Sequence, residues 1–398
     1  MTERGVILER AGGAASATLR WAMYVFLASA CVSIAVNSLA LGLMALAWCL
    51  AMALRGRWEV VATPLDWFFL AYACAELLAT AFSVHPGESL LLARRVLLVG
   101  IVYCFASRVD TRAEALRAVG ILLGAAVIVA LIGVGKLLLG GPGDNTRLGI
   151  FQFYMTTSQL MMIVLLLLVP FALHGGAPRW VRVGALAAAI PVAIALYATV
   201  TRGAYLAAAA GLLLIALVRN WKLVIPLVLL MACIIAFAPP YVTGRLASIV
   251  DIHHPENASR LVLWSTGLKI FADHPVTGVG DIDLGELLRQ YAGPGYSGLW
   301  GHLHNVALHV LVTLGAVGLI ALAALFIRIG VVEWRIYRRC RDDWFAGSFA
   351  LGAFAVFIGF QVNGLTEWSF GNQMVVILVW VTLGLTLALD RIAGAGAA

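Results

Sequence analysis

The 398 residues are 62% hydrophobic and only 12% charged, with a mean hydropathy of +0.97. A soluble domain carries about twice that charged fraction, so the composition excludes a soluble enzyme. Continuous apolar runs, in place of alternating ones, exclude an outer-membrane-type barrel, and a net charge of +7 held mostly in short loops reads as membrane orientation and not as nucleic-acid binding.

The expected fold is all-α and polytopic, a single membrane-embedded unit over residues 1–398. Residues 1–20 are polar and basic (Arg4, Arg10, Arg20), and the apolar run that follows is too long for a cleaved signal. About twelve spans of bilayer-crossing length follow. They fall near 20–36, 39–54, 65–82, 89–106, 115–138, 155–173, 181–199, 203–218, 222–238, 304–330, 345–364 and 371–390. The first two are separated only by Asn37-Ser38 and form a tight hairpin. Basic residues precede the first span and follow the second, fourth, sixth, eighth, tenth and twelfth, with Arg55, Arg108, Arg182, Lys222, Arg339 and Arg391 among them. All fall on one side if both termini are cytoplasmic. The six cysteines show no CxxC pair and read as buried small hydrophobes.

The opposite side carries the loop at 139–154, the Thr201-Arg202-Gly203 turn, a long loop at 239–303 between spans nine and ten, and the short loop near Glu367. The long loop far exceeds an ordinary connection. From Asn257 its pattern predicts an amphipathic helix, with Leu261, Trp264, Leu268 and Phe271 on one face, lying at the membrane surface or capping a cavity. Pro275 and Gly278-Val-Gly280 end it, and a second short helix runs from Asp283 to Tyr291. There is no internal repeat and no sign of helices broken in both halves, so the usual transporter signature is missing.

Chemistry is expected where this loop meets the tenth span, at His302-Leu303-His304-Asn305. Histidine is the side chain that exchanges a proton near neutral pH. Arg147, Arg202 and Arg260 face the same compartment, and the planar guanidinium suits phosphate. Inside the third and fourth spans, Glu76 lies at a depth matching Arg94 and Arg95, which predicts a structural ion pair. Gln361, Asn363 and Glu367 are candidates for the wall of the same cavity, and Glu367 is an alternative base to His304. His302 is either a partner of His304 or a surface residue. Asp281-Ile-Asp283 matches a metal-binding pattern of sugar transferases, but Asp283 is better explained as a helix cap; no metal is expected.

Several of these residues, in order, resemble the bacterial O-antigen ligase family, which is related to O-antigen polymerases. They are Arg147 with Gly149; Thr201-Arg202-Gly203-Ala204; Arg260 with Trp264; His274-Pro275 with Gly278-Val-Gly280; and His304-Asn305 with Gly315 and Gly318. The resemblance implies a GT-C-like fold in the bacterial inner membrane with a periplasmic site and no cofactor. The donor would be a glycan on undecaprenyl pyrophosphate, and the acceptor a sugar hydroxyl of lipid A–core, among membrane lipids and without nucleic acid. His304 would be the general base in an inverting, metal-independent transfer. Arg202 and Arg260 would stabilise the leaving pyrophosphate, and Arg147, Asn305, His302, Trp264 and Glu367 would bind substrate. Gly315 and Gly318 would let a neighbouring helix approach closely. An end at Ala398, just after the last span, favours the ligase over protein-glycosylating relatives. The alternatives are a polymerase using the same chemistry and a flippase for the lipid-linked glycan.

Overall fold

A computed structural model of the chain describes residues 3–140, 147–293 and 301–395, with side chains from residue 11 onward. The side chains of Arg4 and Arg10, and residues 141–146 of the 139–154 loop, lie outside the described residues. The protein is a polytopic helical membrane protein, and no strand occurs among the described residues. The helices are α1 (Glu3–Ser29), α2 (Ile34–Arg55), α3 (Asp66–Ala81), α4 (Pro86–Ala93), α5 (Gly100–Arg108), α6 (Arg112–Gly140), α7 (Tyr154–Leu173) and α8 (Arg179–Ala198). They continue with α9 (Arg202–Asn220), α10 (Val224–Ala236), α11 (Pro240–Ala247), α12 (Pro255–Asp273), α13 (Gly285–Ala292), α14 (Val306–Cys340), α15 (Trp344–Gly364) and α16 (Gln373–Ala395). A 3₁₀ segment, Arg94–Val99, joins α4 to α5 in one crossing.

Among the described residues, nine helical stretches are long and apolar enough to cross a membrane. Eleven of the twelve expected spans fall on one helical stretch each; the first, 20–36, straddles α1 and α2, because the hairpin turns at residues 30–33 and Asn37-Ser38 lies inside α2. Helix α1 and the 16-residue α3 are not among the nine, and α9 and α10 count as one stretch, Arg202–Ala236. That stretch is a hairpin. Asn220 is extended (φ −167°, ψ 111°) and interrupts it. A straight 35-residue helix would carry Ala236 about 50 Å from Arg202, yet Ser248, only twelve residues on, accepts hydrogen bonds from the Arg202 guanidinium at 2.7 Å.

Helices α7, α15 and α16 form the buried centre, with α9, α14 and α5 packed around them. Small residues allow the close approaches: a Cβ on Gly352 would lie 3.0 Å from the Leu167 Cα, and one on Gly211 would lie 2.6 Å from the Leu166 methyls. Outward faces carry exposed apolar side chains such as Leu39, Leu138 and Ile327, as a lipid-facing surface requires. The arginine-rich turns meet at one end of the bundle, where Arg112 pairs with Asp343, Arg391 with Asp110 and Arg339 with Asp390. The long loop covers the other end. It has a small core of its own, built from Leu263 and Ile270 of α12, Leu288 of α13, Val279, Leu303, and Val312 of α14.

The α12 face matches the expected stripe in part. Trp264 and Phe271 pack against the loop core, but Leu261 and Leu268 are half exposed, and Leu263, Thr266, Gly267 and Ile270 are the buried residues. Packing against α13 and α14 selects that face, one residue over from the amphipathic reading.

Helix α14 is broken at Gly315 (φ 66°, ψ −168°). The segment 275–280 enters the break. Val279 and Gly280 donate their N–H groups to the carbonyls of Val312 and Thr313, and Pro275 and Val276 accept from Ala316 and Val317. Four backbone groups at the break, two carbonyls and two N–H groups, are thereby paired, as irregular backbone at membrane depth requires. A Cβ on Gly278 would strike the Thr313 carbonyl, and one on Gly315 the Val276 carbonyl. The close approach expected at Gly315 is therefore made to a loop and not to a neighbouring helix. Gly318 is crowded by Leu314 of its own helix.

Candidate active site

His304 ends the long loop, one residue before the cap of α14. It is 5% exposed and held at φ +48°, a left-handed conformation unusual for a residue with a side chain. Strain of this kind costs of order 1–3 kcal/mol and persists only where the surroundings impose it. Three contacts impose it here. Asn305 caps α14, its Oδ1 accepting from the Leu308 N–H at 2.9 Å, while its Nδ2 donates to the Leu365 carbonyl at 3.0 Å. The Trp264 indole N–H donates to the Leu303 carbonyl at 2.9 Å. Asn305 and Trp264, expected to bind substrate, are occupied in holding the loop that presents His304.

The imidazole Nδ1 lies 3.1 Å from Oε2 of Glu367, and Arg260 Nη2 donates to Oε1 of the same carboxylate at 2.9 Å. A carboxylate only accepts, so this contact favours the tautomer with the proton on Nδ1 and the basic lone pair on Nε2. Glu367 comes from the turn after α15, and α9 passes close beneath it: a Cβ on Gly203 would lie 2.8 Å from Thr366 Oγ1. His302 packs edge-on to His304 with ring centroids 4.2 Å apart. Burial first, and then the neighbouring His304, lower its pKa to about 4, so it is neutral at physiological pH.

One helical turn earlier on α12, Glu256 gathers three arginines. Arg245 Nη2 donates to both carboxylate oxygens at 2.7 Å, Arg202 Nη2 lies at 3.2 Å, and Arg147 Nη2 at 3.8 Å. Burial works to raise the Glu256 carboxyl, but the Arg245 hydrogen bonds and the charges of Arg245, Arg202 and Arg147 hold it below its ordinary value. One negative charge therefore faces three positive ones. Arg202 also donates to the Ser248 carbonyl and hydroxyl at 2.7 Å and to Asn257 Oδ1 at 2.6 Å, so both its terminal nitrogens are engaged within the protein. Arg147 lies over the Tyr154 ring at 4.6 Å. The buried Arg245 Nε–H has no partner among the described residues. Nothing in the sequence pattern singled out Arg245; its place is set by the folding of α11 back onto α9.

A cavity of about 720 Å³ opens on the other side of the His304–Glu367 pair. It is lined by His302, His304, His309, Gln159, Trp368 and Arg95, together with Glu88, Asp281, Asp283 and Glu367. None of Arg147, Arg202, Arg245 or Arg260 lines it. The expected Glu76–Arg94–Arg95 ion pair is not formed: Arg95 reaches Asp281 instead, at 3.2 Å, and no ion pair joins Glu76 or Arg94 among the described residues. The cause is the long loop, which delivers Asp281 to the membrane face of α3 and α4. Burial, more than any other influence, raises the Asp281 carboxyl pKa, with Arg95 opposing it. Asp283 caps α13, its Oδ1 accepting from the Gly285 N–H at 2.8 Å.

The fold and this polar end define a multi-pass helical membrane protein with a histidine–carboxylate pair beside an arginine cluster. Residues 186–323 match the family model described as O-antigen ligase, which supports membership of the O-antigen ligase/polymerase family and, with it, a glycosyltransferase-like activity. The matched segment runs from α8 to the break in α14 and contains Arg202, Arg245, Arg260, His304, Gly315 and Gly318. No curated protein matches the chain.

Proposed function

We propose that the protein is an O-antigen ligase, a GT-C-like transferase of the bacterial inner membrane with cytoplasmic termini and a periplasmic site. It would move a glycan from undecaprenyl pyrophosphate to a sugar hydroxyl of lipid A–core. The observation that carries this reading is the placing of His304, oriented by Glu367, between a cluster of three arginines on one carboxylate and a polar cavity. The excess positive charge suits a pyrophosphate that gains negative charge as it leaves, by the logic of preorganised electrostatic stabilisation.

The acceptor hydroxyl gives its proton to Nε2 of His304 as its oxygen attacks the anomeric carbon. The bond from that carbon to the pyrophosphate oxygen breaks, and its electron pair leaves with the phosphate. Glu367 stabilises the resulting imidazolium through Nδ1–H, and Arg260 holds Glu367 in place. Attack opposite to the leaving group inverts the anomeric carbon. Arg147 and Arg245 are the arginines best placed to take the pyrophosphate, because Arg202 is spent on Ser248 and Asn257.

The test is transfer by purified protein supplied with undecaprenyl-pyrophosphate glycan and lipid A–core in EDTA, comparing wild type with His304→Asn. Asparagine tolerates the left-handed backbone better than alanine and retains an amide near Glu367, so the variant folds. Its rate is expected to fall by about 10²–10⁴-fold, the usual contribution of a general base. A wild-type rate in the variant overturns the role of His304. Product on a carrier-linked repeat but none on lipid A–core transfers the reading to a polymerase, and no product on either, with donor still bound, transfers it to a flippase.

A further inference from the structure

We infer that the cavity beside His304, together with the groove that continues from it between α4 and α13, is the acceptor-glycan subsite, built for uncharged sugar hydroxyls. This rests on the transferase reading above, and adds to it which surface holds which substrate.

Four observations converge. First, two buried polar atoms in the cavity wall have no partner among the described residues: Gln159 Oε1 and His309 Nδ1, on residues 4% and 2% exposed. The Gln159 amide N–H₂ is already committed to the Met155 carbonyl at 3.3 Å, so its carbonyl oxygen is held ready to accept. A buried polar atom without a partner costs about 1–3 kcal/mol, and a ligand hydroxyl would satisfy each. Second, the charge does not favour pyrophosphate: among the described residues, Arg95 of the cavity is neutralised by Asp281 and Glu367 by Arg260, which leaves Glu88 and Asp283 with Glu286 of the groove against Arg289. Carboxylates, amides and an aromatic face at Trp368 are the complement of a sugar ring, and Trp368 is fixed by the His309 ring 3.9 Å away. Third, the cavity does not end at the rim. A second groove of about 820 Å³ shares Glu88, Ile282 and Asp283 with it and runs out past Glu286 and Gln290 of α13. A polar path of that kind suits an oligosaccharide several residues long. Fourth, displacement at the anomeric carbon needs the nucleophile opposite the leaving group. With pyrophosphate at the arginines around Glu256, the incoming hydroxyl reaches His304 from the cavity side.

The experiment measures KM for donor and for acceptor separately in Gln159→Met, which deletes the inner acceptor atom, and in Glu286→Ala/Gln290→Ala, which strips the exposed outer groove. The outer pair lies on the surface of α13 and leaves the fold intact. Both are expected to raise the acceptor KM at least tenfold with the donor KM unchanged, and the outer pair with kcat unchanged as well. A raised donor KM with an unchanged acceptor KM overturns the proposal while leaving the ligase reading standing. If lipid A–core receives nothing and a carrier-linked glycan does, the ligase reading fails, and the same KM split on that acceptor still decides the subsite. Should neither accept, saturation-transfer NMR with free core oligosaccharide decides it. Saturation in wild type that is lost in both variants supports the subsite, and no saturation in wild type overturns it.

Discussion

At the scale of single residues, arginines that look alike in sequence have different work. Arg202 uses both terminal nitrogens on Ser248, Asn257 and Glu256, and so ties the α11–α12 turn to the start of α9. Arg147 makes one long contact to Glu256 and lies on Tyr154. Lysine keeps the charge of either but loses the fork. Arg202→Lys is therefore expected to cost about 2–3 kcal/mol of stability, since hydrogen bonds from charged groups contribute about 1.5–3 kcal/mol. Arg147→Lys should stay within about 0.5 kcal/mol, as is usual for a weakly engaged residue, yet raise the donor KM. Thermal unfolding in detergent, read beside donor KM, separates the two; equal destabilisation would show that both are structural. His304, Arg260 and Arg147 were legible as candidates from residue type and side of the membrane alone. Arg245, Gln159 and His309 were not, because what distinguishes them is a buried atom that the fold leaves without a partner among the described residues. Arg95 was legible as an intramembrane charge, but its partner lies 186 residues away in sequence.

At the scale of elements, the helices were legible and their interruptions were not. Hydropathy locates α14 well, but an apolar run containing Gly315 and Gly318 reads the same whether or not the helix is broken, since glycine is tolerated within membrane helices. The break depends on the 275–280 segment arriving to satisfy it. The amphipathic reading of α12 held for Trp264 and Phe271 and missed Leu263 and Ile270 for a related reason: the buried face is chosen by α13 and α14, which the helix's own periodicity does not encode. Gly278→Ala is expected to destabilise by about 3 kcal/mol or more, combining strain at φ +66° with a clash against the Thr313 carbonyl. Gly175→Ala, with open space around it, should be neutral within about 0.5 kcal/mol. Equal melting temperatures for the two variants would mean that the break is not maintained as described.

At the scale of the whole molecule, the bundle has two chemically distinct ends, one of arginine-rich turns and one of loop, histidine and carboxylate. The α9–α10 hairpin decides how they alternate. With single cysteines introduced in place of Trp221 and Val250, in a background lacking the exposed Cys49, Cys74 and Cys233, a membrane-impermeant thiol reagent should label Val250→Cys from the side that carries the long loop. Trp221→Cys should be labelled only from the opposite side. Protection of Trp221→Cys from both sides would place it at mid-bilayer and make Arg202–Ala236 a single crossing.

The break in α14 also bears on how the protein is made. Gly315 lies about 14 Å along the helix from Val306, too deep for its freed backbone groups to be left without partners in lipid. The groups that satisfy them belong to residues 275–280, which precede α14 in the chain. An α14 inserted before that segment docks would need its own i to i−4 ladder complete, and would exchange those bonds for the loop's as the loop folds back. The same docking seats Leu303 and Val312 in the loop core, next to the turn that presents His304 to Glu367. A chain that stalls before it would keep its helices and lack that pairing.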